Sequence, residues 1–175
     1  MFFYPNKPIE IFDPEGLLKK LGNLTHWRLQ PKWNGKRIEI HCNGEVRTYS
    51  REKREWYLDE WKWLSELPLP KPWFLDGELL RDGRIYVWDY ALIGGEMVFK
   101  TEYGPRIQQL KGLSLSKNGL VIECVKSLPA TEYEVIMSQK DDEFLEGMVW
   151  KNLKATNMWG PHRTNKVSSQ FKYRF

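Results

Sequence analysis

Polar and apolar residues alternate most clearly over residues 37–42 and 45–50, which flank Asn43-Gly44. A period of two marks a half-buried strand, and Asn-Gly supplies the positive φ angles of a tight turn, so this stretch predicts a hairpin. Residues 73–80 and 85–91 predict a second hairpin around Arg81-Asp82-Gly83-Arg84, with Asp-Gly as the turn signal. Between them the period changes. Trp56, Trp63, Leu64 and Leu67, with Tyr57 and Trp61 alongside, fit a helical stripe over residues 52–67 that Pro68 stops. The next residues, 68–72, read Pro-Leu-Pro-Lys-Pro and predict a stiff, extended connector into the following strand.

Weaker patterns complete the reading. Residues 14–21 and 107–113 predict short helices, 120–125 a strand, and 131–147 a helix followed by a turn. Residues 148–151 and 170–175 predict late strands, and Gly94-Gly95 ends the strand around Trp88 in a turn. No internal repeat interrupts the sequence. The fold class expected is α+β, with antiparallel sheets flanked by helices and a single domain over residues 1–175.

Composition narrows the setting. With 41% hydrophobic and 29% charged residues the chain is neither disordered nor membrane-spanning, since no apolar run is long enough to cross a bilayer. The net charge of +4 suits a polyanionic partner and equally an ordinary basic surface. Its distribution says more: Asp141, Asp142, Glu143 and Glu146 concentrate negative charge, whereas residues 151–174 hold Lys154, Arg163, Lys166 and Lys172 and no carboxylate. Nine tryptophans serve mainly as core, with some flat faces open to bases. The chain starts without a secretory signal pattern, and Cys42 and Cys124 lack ligand spacing, so a reducing, cytoplasmic setting is expected. His26, His41 and His162 share no metal-ligand spacing and read as structural or surface residues.

Three short motifs carry chemistry. In Pro31-Lys32-Trp33-Asn34-Gly35-Lys36-Arg37 a lysine precedes a turn that opens into a strand. Taken alone this is a basic turn; read functionally, it aims an amine at a phosphate. A lysine attacks only when deprotonated, and Lys36 and Arg37 are expected both to lower its pKa and to stabilise phosphoryl charge. In Phe74-Leu75-Asp76-Gly77-Glu78-Leu79-Leu80 two carboxylates alternate onto one strand face, either as a solvated pair or as ligands of a sugar or metal. Glu146-Gly147-Met148-Val149-Trp150-Lys151 brings a carboxylate into a strand and a lysine to its end.

The order of these motifs, with Tyr86-Val87-Trp88-Asp89-Tyr90 between them and Phe171-Lys172-Tyr173-Arg174 last, resembles the covalent nucleotidyltransferase superfamily of DNA ligases, RNA ligases and messenger-RNA capping enzymes. The resemblance runs from Gln30 to Arg174 and implies a ligase-type, ATP-grasp-like domain that uses ATP with Mg²⁺ or Mn²⁺. It makes Lys32 the adenylated nucleophile and puts Gln30 near the adenine edge, Arg37 on ribose or incoming nucleic acid, and Arg51, after Ser50, on phosphate. It implies Glu78 as a ligand of the ribose hydroxyl or a metal with Asp76 in support, Trp88 as the ring that stacks on adenine, and Glu146 as a metal ligand. Lys151, Lys172 and Arg174 would surround the triphosphate, and Arg106 is a weaker candidate for facing phosphate.

The motifs around Ser50-Arg51 and Asp76-Gly77-Glu78 look more like DNA ligases, so a nicked DNA duplex is the expected partner of a monomeric enzyme, in DNA repair or replication. RNA ligase and capping guanylyltransferase are the enzymatic alternatives, and a nucleic-acid-binding module of the same fold is the non-enzymatic one. Two departures stand out. Asn34 replaces the family's usual aspartate, and a two-residue turn at Asp82-Gly83 would put Glu78 and Trp88 on opposite sheet faces, so that either a bulge intervenes or another aromatic stacks on the base. The family's OB-fold domain, which would follow the last motif, is expected to be absent from this chain or supplied by a partner.

Overall fold

The computed structural model describes residues 4–56, 59–98, 101–156, 159–160 and 166–175; Tyr57, His162 and Arg163, singled out above, lie outside them. The architecture is α+β, and the chain divides into two compact units: residues 1–34, 99–105 and 125–175 form the first, and residues 35–98 and 106–124 the second. In chain order the main elements are β1 (Lys7–Glu10), α1 (Pro14–Lys20), β2 (Trp27–Trp33), β3 (Lys36–Asn43), β4 (Glu45–Ser50), β5 (Trp73–Leu79), β6 (Arg84–Ile93), α2 (Tyr103–Leu110), β7 (Ser114–Lys117), β8 (Leu120–Cys124), α3 (Tyr133–Met137), β9 (Leu145–Asn152) and β10 (Lys166–Arg174).

The first unit is built on a five-stranded sheet in the order Leu128–Pro129, β2, β9, β10, β1. Its strands follow the period-two rule. Trp27, Leu29, Met148 and Trp150 share one face with Phe171 and Tyr173, and against this face pack Leu17 of α1 and Ile136 of α3. The Trp150 indole N–H donates to the Ala130 carbonyl at 3.0 Å, so this large buried side chain leaves no donor unmet. Helix α1 starts where sequence predicts: the Asp13 carboxylate caps it by accepting from the Gly16 N–H at 2.9 Å, Pro14 opens it, and Lys19 and Lys20 occupy its last turn. The opposite sheet face is polar, and it carries the first group of candidate residues.

The second unit is an eight-stranded sheet in the order β7, β8, β6, β5, β3, β4, Glu55–Trp56, with Glu96–Met97 added beside β6. Ile38, Ile40, Leu75, Ile85 and Val87 line its apolar face in one cluster with Trp61, Trp63, Leu64 and Leu67. Both sheets are antiparallel apart from two pairings, β6 with β8 and β10 with β1, which are parallel. Arg106, proposed above to face phosphate, is fully buried here instead, where its Nε and Nη2 donate to the two carboxylate oxygens of Asp89 at 2.8 and 2.9 Å.

Three local expectations need correction. In place of the helix expected over residues 52–67 stand a two-residue strand at Glu55–Trp56 and a 3₁₀-helix at Asp59–Glu66. Trp61, Leu64 and Leu67, all buried, recur every three residues, which is the 3₁₀ period rather than 3.6. The first hairpin pairs Cys42 with Val46 and Asn43 with Glu45, so Gly44 alone, at φ +85°, makes the turn. The second hairpin closes on the Leu80 N–H donating to the Arg84 carbonyl at 2.8 Å, which leaves three turn residues with Gly83 at φ +87° instead of a two-residue Asp-Gly turn.

Candidate active site

On the polar face of the five-stranded sheet, register sets the candidates in rows. Lys32, Gly147 and Arg174 lie opposite one another on β2, β9 and β10, and one row on lie Gln30, Val149 and Lys172. Residues paired across strands share a face, so Lys32, Arg174 and Lys172 project to the same side. Glu10 joins them from β1, whose register sets it beside Lys172.

Glu146 reaches this face through a bulge. The β2–β9 register shifts between Leu145 and Gly147, so Glu146 has no opposite number on β2, and its carboxylate forms an ion pair with the Lys32 ammonium. Gly147 permits the close approach: its φ is +150°, and a Cβ there would lie 2.0 Å from the Tyr173 carbonyl oxygen. Charges then alternate across the sheet. Glu146 also faces Arg174 Nε at 3.6 Å, Arg174 Nη1 meets Glu10 at 2.9 Å, and Glu10 faces Lys172 at 3.6 Å. Three cations and two carboxylates give this row of ion pairs one net positive formal charge, and each member is partly open to solvent.

The nucleophile candidate therefore has a carboxylate as its ion-pair partner. Lys36 and Arg37, expected to act on it, have other partners: Lys36 lies 5.8 Å from the Trp56 ring centre, and Arg37 is bound to Asp76. Further along the polar face Gln30 and Lys151 are buried and meet at Tyr103, a residue that sequence reasoning did not single out. Gln30 Nε2 donates to the Tyr103 hydroxyl at 2.9 Å and to Ser127 Oγ at 2.9 Å. Lys151 Nζ donates to the same Tyr103 hydroxyl at 3.3 Å and sits 4.9 Å from its ring centre. The signal for Tyr103 was a lone tyrosine before Gly104-Pro105, too little to place it on this face.

The second unit holds the remaining candidates on the polar face of its own sheet. Asp76, fully buried, accepts from Arg37 Nε at 2.9 Å and from Trp88 Nε1 at 2.7 Å, and the Arg37 Nη2 bond to its other oxygen completes a bidentate pair. Burial pushes the Asp76 carboxyl up to about 6, against the opposing pull of Arg37. The bulge that the sequence left open is present. Gly77 pairs with Val87 and Asp76 with Asp89, so Trp88 is the extra residue, and its indole turns to the Asp76 side. Arg37 lies 5.4 Å from the Trp88 ring centre. The Glu78 carboxylate accepts from the Gly35 N–H at 3.2 Å, and a Cβ on Gly35 would lie 2.4 Å from the Leu79 carbonyl oxygen. Ser50 Oγ accepts from the backbone of Glu52 and Arg54, which shapes the turn bearing the exposed Arg51.

Among the described residues no group of three or more His, Cys, Asp or Glu side chains forms a metal cage. A partly open carboxylate such as Glu146 still fits Mg²⁺, which takes one or two protein carboxylates and completes its shell with phosphate oxygens and water.

No family model and no curated protein matches this chain. Solved structures do. Mycobacterial DNA ligase D complexed with ATP and MES superposes with a TM-score of 0.64 at 18% identity, over 86% of this chain and 55% of that one. The ligase domain of LigD from M. tuberculosis gives 0.67 at 16% identity, over 97% and 59%. The chain has the fold of these DNA ligase structures. A Lig E DNA ligase, from work on DNA binding with a minimal scaffold, shares the ligase fold at a TM-score of 0.65 and 13% identity, over 100% of this chain and 70% of that one. The chain thus spans little more than half the length of the two mycobacterial structures. Among the described residues no helix is long and apolar enough to cross a membrane.

Proposed function

We propose that the chain is the adenylyltransferase core of an ATP-dependent DNA ligase. The observation that carries this reading is the Lys32–Glu146 ion pair, set by a bulge beside Gly147 in the same row as Arg174, on a domain with the DNA ligase fold. A surface that merely binds phosphate needs cations; it does not need a carboxylate holding one lysine.

In the proposed reaction the Lys32 ammonium gives up a proton through Glu146, and the neutral amine attacks the α-phosphorus of ATP. An N–P bond forms as the bond from the α-phosphorus to the bridging oxygen breaks, and pyrophosphate departs with that electron pair. Lys172 and Arg174 stabilise the charge on the phosphate oxygens, and Lys151, fixed by Tyr103, adds to the positive field. Glu146 is the proposed ligand of a divalent ion, with Glu78 and Asp76 as the further carboxylates of that assignment. Such an ion, when bound, would neutralise phosphate charge. Because both Asp76 oxygens already accept from Arg37 or Trp88, its chief work is to hold those two side chains. Gln30 and Trp88 are assigned to adenine, Glu78 to the ribose, and Arg37 and Arg51 to ribose or nucleic-acid phosphate.

The adenylate then passes from Lys32 to the 5′-phosphate at a nick, and the 3′-hydroxyl attacks that phosphate, displacing AMP and closing the backbone. The substrate test uses nicked DNA already carrying a 5′-adenylate, beside the matching nicked RNA. Sealing of the DNA nick in preference to RNA is expected; sealing of RNA alone, or of neither, would overturn the DNA assignment.

A further inference from the structure

Glu10 plays no part in the chemistry above, yet its carboxylate bridges two cations assigned to the triphosphate. One oxygen lies 2.9 Å from Arg174 Nη1 and the other 3.6 Å from Lys172 Nζ. The parallel pairing of β1 with β10 sets Glu10 opposite Lys172, so the backbone register, not a chance side-chain rotamer, brings it there. Lys172, chiefly, and Arg174 hold the Glu10 carboxyl below its usual range, so it is an anion wherever the protein would act.

We propose that Glu10 is an internal competitor for phosphate: it occupies Lys172 and Arg174 before the triphosphate enters, gives way to it, and weakens the hold on pyrophosphate when that product forms. The chemistry supports this in three ways. A carboxylate and a phosphate use the same donors on lysine and arginine, so the two anions exchange without loss of hydrogen bonds. The pairs are partly exposed, with Arg174 and Glu10 each more than 40% open, so they are weak enough to be displaced. The pyrophosphate and the Glu10 carboxylate, held nearby by its strand, are both anionic and repel one another over these few ångströms, and that repulsion favours departure of the pyrophosphate. Glu10 therefore trades affinity for turnover.

This inference rests on the assignment of Lys172 and Arg174 to phosphate, and one experiment separates the two. Inorganic pyrophosphate is titrated calorimetrically into the wild-type chain, Glu10→Gln, Glu10→Ala and Lys172→Ala, at low and high salt. The proposal expects both Glu10 variants to bind about three- to five-fold more tightly at low salt, the size that one exposed ion pair supports. It also expects the difference to shrink at high salt, and Lys172→Ala to bind more weakly. Wild-type binding that Lys172→Ala weakens but neither Glu10 variant tightens would overturn the competitor role and leave the phosphate assignment standing. No binding by the wild type and both Glu10 variants would overturn both.

Discussion

Replacing Gly147 with alanine tests the geometry on which the Lys32–Glu146 pair depends. The added Cβ would stand 2.0 Å from the Tyr173 carbonyl oxygen and 3.0 Å from Arg174 Cα, both backbone atoms of the neighbouring strand. Ordinary contact begins near about 3.4 Å, so β9 and β10 would have to part by more than about 1 Å. The residue would also retain a φ of +150°, which L side chains avoid. Backbone strain of about 1–3 kcal/mol and a similar overpacking cost add to about 2–6 kcal/mol. Gly44→Ala supplies the internal control, because its φ is also positive, +85°, but nothing lies within 4 Å of the new Cβ, so strain alone applies. Urea unfolding of the two variants beside the wild type should show Gly147→Ala losing at least twice as much stability as Gly44→Ala. Lysyl-adenylate formation by Gly147→Ala should also collapse, as Glu146 and Lys32 lose their register. Equal losses in the two variants would refute the close approach.

Asp76 predicts a pH signature. Its carboxyl titrates at about 6 in the fold against 3.8 ordinarily, so the folded chain binds the extra proton between those values and its stability falls as pH rises through them. Relative to Asp76→Asn, the wild type should lose about 3 kcal/mol between pH about 4 and about 7, since one unit is about 1.36 kcal/mol; a difference flat with pH would contradict the assignment. Arg106→Ala should cost about 3–5 kcal/mol, because it removes the buried guanidinium that neutralises the Asp89 carboxylate. Replacing both partners with leucine should recover much of that loss in thermal melts, and a double variant as unstable as the single one would argue against a buried pair.

Much of this structure was legible where the side-chain pattern alone decides the element. The hairpins around Gly44 and Gly83 and the short helix that begins at Pro14 depend on neighbours in sequence, and sequence displays those. What it concealed depends on a partner strand. The bulges at Glu146 and Trp88 arise from a register mismatch between two strands, and only the second was anticipated, as a condition for Trp88 to face the Asp76 side. Glu10 lies on a four-residue strand whose role exists only through pairing with β10, more than 150 residues further on. Tyr103 is visible as a site residue only once Gln30 and Lys151 converge on its hydroxyl. The 3₁₀ segment was misread because Trp61, Leu64 and Leu67 lie among other tryptophans that blur a period of three into one of 3.6.

The most direct measurement is mass spectrometry of the intact chain after incubation with ATP and Mg²⁺, followed by peptide mapping. One adenylate per chain should be found, linked to Lys32 through an acid-labile bond and absent from Lys32→Ala. An adenylate on a different side chain, or none in the wild type under conditions where the protein remains folded, would contradict the central claim that this amine is the nucleophile.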